Sequence, residues 1–190
     1  MTKGERTKKR ITLAARELFS NRGYTCVTMK DICLAADISR GGLYAHFSST
    51  AEILEHIIEL EQQQAKKALD DAVKNNIRPD HIIRGFLNKR AHEICDTANS
   101  LTGAIHEFAR SSQSGKLIVT KRANDAVDIL TEMIKLGQNQ NIFKNIDAKN
   151  YAHSILWLLE GMDAHAELIG VDEESARKQL NLVIEMILKN

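Results

Sequence analysis

Two segments of the sequence begin with the His-Glu pair of a zinc-protease helix, at His92-Glu93 and at His106-Glu107. In that motif a second His, four residues after the first, completes the metal site. Asp96 and Arg110 occupy those positions here, so neither segment supplies the second ligand. The remaining histidines show no ligand spacing that includes a cysteine, and no Ser lies in a G-x-S-x-G elbow. We therefore predict no catalytic residues, no metal and no cofactor, and a site assembled from distant helices is the alternative left open.

The cysteines and the hydropathy pattern limit the compartment. Cys26, Cys33 and Cys95 form no C-x-x-C pair and are too scattered for a disulfide framework. Small buried side chains are a better interpretation of them than a redox pair. No apolar run approaches the ~20 residues that a membrane span needs, and the first residues lack the pattern of a signal peptide. The sequence predicts a cytoplasmic protein with no membrane partner.

Composition predicts an all-α fold with an uneven charge distribution. The 190 residues include a single proline, few aromatic residues and no period-two alternation of apolar side chains. Residues 1–50 hold nine Lys and Arg against four Asp and Glu, whereas residues 51–190 hold seventeen against twenty-one. A basic segment joined to an acidic one is typical of a module that binds polyanions. Chance fluctuation explains such a split about equally well.

The stretch from Thr28 to Phe47 has the pattern of two short helices joined by a tight turn. Thr28 can cap the first helix, and Asp31 favours its N-terminus. Asp37-Ile38-Ser39 forms the turn, and Ser39 can cap a second helix that runs to about Phe47. This pattern predicts a helix-turn-helix, whose second helix enters the major groove of DNA.

The second helix has small residues on the face opposite its apolar residues. At about 100° per residue, Leu43 and Phe47 share the inward face, whereas Gly41, Gly42 and Ala45 lie opposite. Each glycine in a solvated helix costs about 1 kcal/mol relative to Ala. That cost is explained if a large, flat partner such as DNA approaches the helix backbone closely.

These residues resemble the DNA-binding segment of the tetracycline-repressor (TetR) family of one-ligand transcriptional regulators. The resemblance covers Thr28-Met29-Lys30-Asp31-Ile32 and Ser39-Arg40-Gly41-Gly42-Leu43-Tyr44-Ala45-His46-Phe47, and it extends back to Ala14-Ala15-Arg16-Glu17-Leu18-Phe19 and Gly23-Tyr24. Together with the helix geometry, it implies DNA contacts from Thr28, Lys30, Ser39, Arg40, Gly41, Gly42, Tyr44, Ala45 and His46. The family usually has a Lys at the start of the next helix, where it meets a phosphate. Thr50 stands there, so one phosphate contact is neutral or absent.

The expected architecture is a three-helix helix-turn-helix head joined by a long helix to a helical body. The DNA-binding domain would cover residues 1–64, with the motif at about 28–47, and the ligand-binding and dimerisation domain residues 65–190. A basic arm over residues 1–10 would lead into a first helix at about 7–22, either for phosphate contact or as a solvated terminus. Residues 111–115 predict a loop between the sixth and seventh helices.

The predicted body contains candidate residues for a small-molecule pocket. Its helices are rich in apolar residues and offer few candidates for buried charge, so we expect a mainly apolar effector. The candidates are Phe86, Arg90, His106, Phe108, Met133 and Trp157. Each of them fits an ordinary core or surface position at least as well.

The last two helices, at about 148–169 and from 172 onward, have surplus apolar residues. Residues 155–159 are consecutively apolar, so the first of these helices must be buried on more than one side. We expect a homodimer interface that includes Leu156, Leu159, Leu180, Val183, Ile184 and Ile187. A central helix in a monomeric bundle is the alternative.

The whole pattern predicts a ligand-responsive DNA-binding regulator. By resemblance it is a repressor that a small effector releases from a pseudopalindromic operator, because a two-fold dimer reads two half-sites. The second hypothesis is an all-helical protein–protein adaptor whose helix-turn-helix only packs. Salt-dependent binding to duplex DNA separates the two hypotheses, since a packing motif binds no DNA.

Overall fold

The fold is all-α over residues 2–189, which are the residues that this computed structural model describes. The helices are α1 (Lys3–Arg22), α2 (Met29–Ala35), α3 (Arg40–Tyr44), α4 (Thr50–Lys74), α5 (Pro79–Cys95), α6 (Thr102–Ser111), α7 (Gln113–Asn139), α8 (Ala148–Ile169) and α9 (Glu173–Glu185), with a 3₁₀ turn at Thr97–Asn99. The β-type pairing within this range is a single isolated bridge between Phe143 and Leu188. The predicted fold class is confirmed.

A capping box starts α1 earlier than the sequence predicted. The Thr2 hydroxyl accepts a hydrogen bond from the Glu5 N–H at 3.2 Å, and the Glu5 carboxylate accepts one from the Thr2 N–H at 2.6 Å. Residues 3–10, predicted to be mostly an arm, are therefore helical. The helix ends at Gly23, which has a positive φ of 75° and whose N–H donates to the Phe19 carbonyl.

A single residue, Ser112, separates α6 from α7. Its hydroxyl accepts a hydrogen bond from the Gly115 N–H at 2.9 Å and so caps α7. Gly115 also packs against the backbone of Phe108, because an added Cβ would lie 2.2 Å from the Phe108 carbonyl oxygen. The prediction of a loop over residues 111–115 is wrong, since this glycine permits close packing inside a helix.

The chain divides into two compact units. The N-terminal unit comprises the residues up to Glu61 together with Ala98–Arg122, and the C-terminal unit comprises Gln62–Thr97 together with the chain from Ala123 onward. The division falls inside α4 and inside α7. It groups α6 with the N-terminal helices, whereas the sequence-based division at residue 64 grouped α6 with the body.

The N-terminal unit has one apolar core, to which α6 contributes. The Tyr24 ring lies between Phe19 and Phe108, with centroids 5.9 and 5.0 Å away. The buried core residues are Ile11, Ala15, Phe19, Val27, Ile32, Ala36, Leu43, Phe47, Ile53, Leu54, Ile57, Ile58, Leu101, Ala104, Ile105 and Phe108. Burial of each large apolar side chain contributes roughly 1.5–3 kcal/mol before the entropy cost of ordering it.

The C-terminal unit is built around a second core from the second half of α4 together with α5, α7, α8 and α9. Arg84 of α5 donates to Glu185 of α9 at 2.6 Å, and His92 lies 3.0 Å from Glu173 at the other end of the same helix pair. The C-terminal residues are held by backbone hydrogen bonds, since the Lys144 N–H donates to the Ile187 carbonyl at 2.7 Å. These contacts order α9 against its neighbours.

Candidate nucleic-acid interface

The predicted helix-turn-helix is present as α2, a turn and α3, and its caps are the predicted ones. The Thr28 N–H donates to the Asp31 carboxylate at 2.9 Å, and the Asp31 N–H donates to the Thr28 hydroxyl at 3.2 Å. Hydrogen bonds from the Thr28 hydroxyl and N–H lower the pKa of Asp31, so the carboxylate stays ionised at the positive end of α2. Ser39 caps α3 by accepting from the Gly42 N–H at 3.1 Å.

The turn between the two helices contains an unusual backbone conformation at Asp37. Its φ is 48°, in the left-handed region that Asp tolerates better than most residues other than Gly. The Ile38 N–H donates to the Cys33 carbonyl at 3.1 Å, and the Arg10 guanidinium donates to the Asp37 carbonyl at 2.9 Å. α1 therefore holds the turn that sets the angle between α2 and α3.

The second helix, α3, ends at Tyr44 and not near Phe47 as predicted, but the apolar and small residues of this stretch face as the sequence predicted. Leu43 and Phe47 are buried in the unit core, at 0% and 2% exposure. On the other side, a Cβ added to Gly41 would meet no described atom within 4 Å. A Cβ added to Gly42 would lie 3.2 Å from the Ser39 hydroxyl. Gly41 thus marks open space over the helix backbone, whereas Gly42 also fits tightly beside the cap.

Arg40 and Tyr44 form an exposed stacked pair beside that open space. The guanidinium carbon of Arg40 lies 5.7 Å from the centroid of the Tyr44 ring, and Tyr44 is 46% exposed. Stacking of a cation on an aromatic face restricts both side chains. The pair therefore presents a guanidinium and a phenol, both able to donate to phosphate or to base edges.

The first turns of α1 lie against the residues that directly follow α3. The Lys8 ammonium is 5.2 Å from the centroid of Phe47, and a Cβ added to Gly4 would lie 3.9 Å from the His46 ring. α1 also carries the exposed basic residues Lys3, Arg6, Lys9 and Arg10. The sequence suggested either phosphate contact or a solvated terminus for this segment, and no local pattern indicated that it packs beside α3.

The start of α4 has an acidic cap near Thr50. The N–H and hydroxyl of Ser48 donate to the Glu52 carboxylate at 2.6 and 2.7 Å, which lowers the pKa of Glu52. The Ser49 hydroxyl accepts from the Glu52 N–H at 3.2 Å. Thr50, half-buried at the first position of the helix, offers a hydroxyl instead of an ammonium.

Within residues 2–189 no three His, Cys, Asp or Glu side chains are grouped so that they could hold a metal ion. None of the helices in the same range is both long and apolar enough to cross a membrane.

Comparison with known proteins agrees with this geometry. The family of bacterial regulatory proteins called the tetR family matches residues 11–57, from the first buried residue of α1 into α4. Over 178 residues the chain is 25% identical to the HTH-type transcriptional regulator UidR of Escherichia coli, which covers 94% of this chain and 90% of UidR. It is 26% identical over 151 residues to the HTH-type transcriptional regulator YfiR of Bacillus subtilis, covering 77% and 73% of the two chains.

By its DNA-binding segment, this chain is similar to the TetR family.

Solved structures share the fold of this chain. A regulator from Rhodococcus sp. has a TM-score of 0.80 at 18% identity, with 97% of this chain and 100% of that chain covered. Salmonella enterica GusR has a TM-score of 0.72 at 22% identity, with 97% and 98% covered. The curated relatives of this chain are transcriptional regulators, which supports a DNA-binding regulator rather than an enzyme.

The six residues predicted to line an effector pocket are divided between the two units. Phe108 is part of the N-terminal core, His106 is exposed, and Trp157 is 68% exposed. Phe86, Arg90 and Met133 belong to the C-terminal unit. A surface groove of ≈ 370 Å³ in that unit is lined by other residues, namely Asp128, Thr131, Glu132, Lys135, Leu136 and Asn139.

Arg90 is already paired within the C-terminal unit. Its guanidinium donates to Glu93 at 2.7 Å and to Asp163 of α8 at 2.8 Å. Hydrogen bonds and charge from Arg90 lower the pKa of Glu93, although burial of that carboxyl, the largest single influence, acts in the opposite direction. Arg90 thus joins α5 to α8.

The residues predicted for the dimer interface mostly face inward. Leu159, Leu180, Ile184 and Ile187 are buried in the core of their own unit, and Leu156 and Val183 are half-buried against it. The strongly exposed large apolar residues of the last helices are instead Trp157, Leu168, Ile169, Leu182 and Met186. Sequence spacing could not separate buried from exposed positions, because α8 and α9 carry exposed apolar residues as well as buried ones.

Proposed function

We propose that this chain is a homodimeric TetR-family repressor that leaves its operator when a small, mainly apolar effector binds the C-terminal unit. The observation that supports it best is the open surface over Gly41 beside the exposed Arg40–Tyr44 pair. Gly41 leaves the outward face of the helix open, and Arg40 and Tyr44 beside it are hydrogen-bond donors. Such a helix can approach the base edges and phosphates of a major groove closely.

The proposed DNA contacts are those predicted from the sequence, with the first turns of α1 added. Thr28, Lys30 and Arg40 would reach phosphates from the helix N-termini and flanks. Gly41, Gly42 and Ala45 would allow close approach, while Tyr44, Ser39 and His46 would stand at base edges or the backbone. The exposed lysines and arginines of α1 would add salt-sensitive phosphate contacts.

The proposed dimer uses the exposed apolar side chains of α8 and α9. Trp157, Leu182 and Met186 are each more than half exposed and stand on the last two helices. Exposed apolar residues gathered on one pair of elements are typical of an interface. A second copy of the chain is the natural occupant, because a two-fold pair of heads can read both halves of a pseudopalindrome.

The test starts from a random-sequence duplex pool, from which the parent chain selects its own operator. The selected duplexes should share a pseudopalindrome, and the binding constant should fall steeply as the salt concentration rises. An apolar compound library screened by thermal shift should contain ligands that raise the melting temperature and release the duplex. Selection of a lone half-site would contradict the two-fold dimer, whereas no salt-dependent duplex binding would favour the adaptor hypothesis.

A further inference from the structure

Glu107 of α6 makes a concentrated set of contacts with the loop that precedes the helix-turn-helix. One carboxylate oxygen accepts hydrogen bonds from both the N–H and the hydroxyl of Thr25, each at 2.8 Å. Backbone and hydroxyl hydrogen bonds from Thr25 lower the pKa of Glu107, so the group is ionised at neutral pH. An ionised acceptor makes each of these bonds stronger than a neutral one would be.

The loop is shaped to receive this carboxylate. A Cβ added to Gly23 would lie 2.6 Å from one Glu107 oxygen and 2.9 Å from the other, so a side chain there would displace the carboxylate. The next residue, Tyr24, packs edge-on against Phe108, with centroids 5.0 Å apart. Adjacent residues of α6 therefore hold the loop by a polar contact and by an apolar one.

The loop leads directly to the first candidate DNA contact. Thr28, which caps α2, lies three residues after Thr25, and Val27 between them is buried in the unit core. Any shift of the loop would move the N-terminus of α2 and the exposed Lys30. The position of α2 therefore depends on a carboxylate from α6, a helix that lies 79 residues beyond Thr28 in the chain, at Glu107.

We propose that Glu107 is a positioning residue for DNA recognition, which holds the Gly23–Thr28 loop so that the N-terminus of α2 meets the operator. It touches no DNA itself. The inference rests on the proposed operator binding. It goes beyond that proposal by assigning part of the affinity and specificity to a side chain outside the helix-turn-helix.

The test compares Glu107→Ala with Glu17→Ala, which removes an exposed carboxylate of α1. Both variants gain one unit of positive charge, so electrostatics alone would leave DNA binding equal or tighter. Glu107→Ala should instead weaken operator binding about tenfold at fixed salt, the effect of losing hydrogen bonds to a charged group. Its affinity for a scrambled duplex should match that of Glu17→Ala, and exchange of the Thr25 amide proton should quicken.

Two further variants separate positioning from a general loss of structure. Glu107→Gln keeps an acceptor oxygen and should recover most of the operator affinity. Thr25→Val removes the hydroxyl that donates to Glu107 and should weaken operator binding in the parent, yet add little to Glu107→Ala.

The outcomes separate this inference from the proposed function. A parent chain that binds no duplex overturns both. If the parent binds and Glu107→Ala keeps its ratio of operator to scrambled-duplex affinity, the positioning role is wrong while the proposed function stands.

Discussion

Asp37 adopts a left-handed backbone conformation in the turn between α2 and α3. Asp37→Ala and Asp37→Gly both remove the carboxylate, so the difference between them reports the backbone alone. Ala carries a Cβ that this conformation disfavours, and we expect it to be less stable than the Gly variant by about 1 kcal/mol. Urea unfolding of the two variants measures the difference, and equal midpoints would mean that the turn relaxes to another conformation.

Gly41 allows a separation of stability from DNA binding. Gly41→Leu adds a side chain into open space and raises helix propensity, so the melting temperature should stay equal or rise. The same side chain would stand between α3 and the groove, and operator affinity should fall by about tenfold or more, a loss of roughly 1.4 kcal/mol.

Gly85 of α5 supplies the matched control. An added Cβ there also meets no described atom within 4 Å, and the residue lies in the C-terminal unit. Gly85→Leu should leave operator affinity unchanged at the same salt concentration. If Gly41→Leu binds as tightly as Gly85→Leu, α3 does not enter the groove by this face.

α5 and α9 are joined by an ion pair whose strength depends on pH. A hydrogen bond and charge from Glu173 raise the pKa of His92 above its ordinary value of 6.5, and hydrogen bonds from His92 and Arg177 lower that of Glu173 below 4.5. The His92 contribution to stability is full below pH 6.5 and is lost as the pH rises through its raised pKa. The contribution of Glu173 to stability is lost only as the pH falls through its lowered pKa.

The pair should therefore stabilise the protein most between about pH 5 and 6.5. His92→Gln should lower the melting temperature at pH 5.5 and have a smaller effect at pH 8.5. Thermal unfolding of both proteins at the two pH values measures this change. An effect of His92→Gln that grows toward pH 8.5 would contradict the pairing.

Much of the element structure was predictable because its signals are local. Thr28 and Ser39 were identified as caps from residue type and spacing, and Leu43 and Phe47 as inward-facing from the helical period. The early start of α1 depends on Thr2 and Glu5, whose residue types and spacing also predict a helix cap. The basic residues around them suggested an arm instead.

What the sequence did not indicate depends on contacts between distant residues. From the sequence alone, Gly115 predicts the end of a helix. In the structure it lies inside α7, where it allows close packing against the Phe108 backbone. α6 is a ten-residue amphipathic helix, and nothing in its pattern says which of two cores it joins. Likewise, Leu180 and Leu182 are the same residue type two positions apart, yet one is buried and the other is half exposed.

At the scale of the whole molecule, the exposed apolar residues of α9 predict which changes alter assembly. Leu182→Glu places a charge in the proposed interface and should convert dimers to folded monomers. Leu180→Glu places it in the core of the C-terminal unit, where Leu180 is 1% exposed, and should unfold that unit at a cost of several kcal/mol.

Sedimentation velocity with circular dichroism distinguishes these outcomes. Leu117→Glu, at an exposed leucine of α7 in the N-terminal unit, is the control for adding a charge to the surface. A folded Leu182→Glu variant that sediments as the parent does would rule out α9 as the interface.

The discontinuous N-terminal unit has a consequence during synthesis on the ribosome. The helices up to α4 leave the exit tunnel first, but the core they form also requires Leu101, Ala104, Ile105 and Phe108. At about 5–20 residues per second, α6 follows α4 only after several seconds. Until then the nascent chain exposes the side of the core that α6 covers. The DNA-binding surface therefore reaches its final structure only after the segment that contains it has been translated. Before α6 covers it, the exposed core is accessible to chaperones.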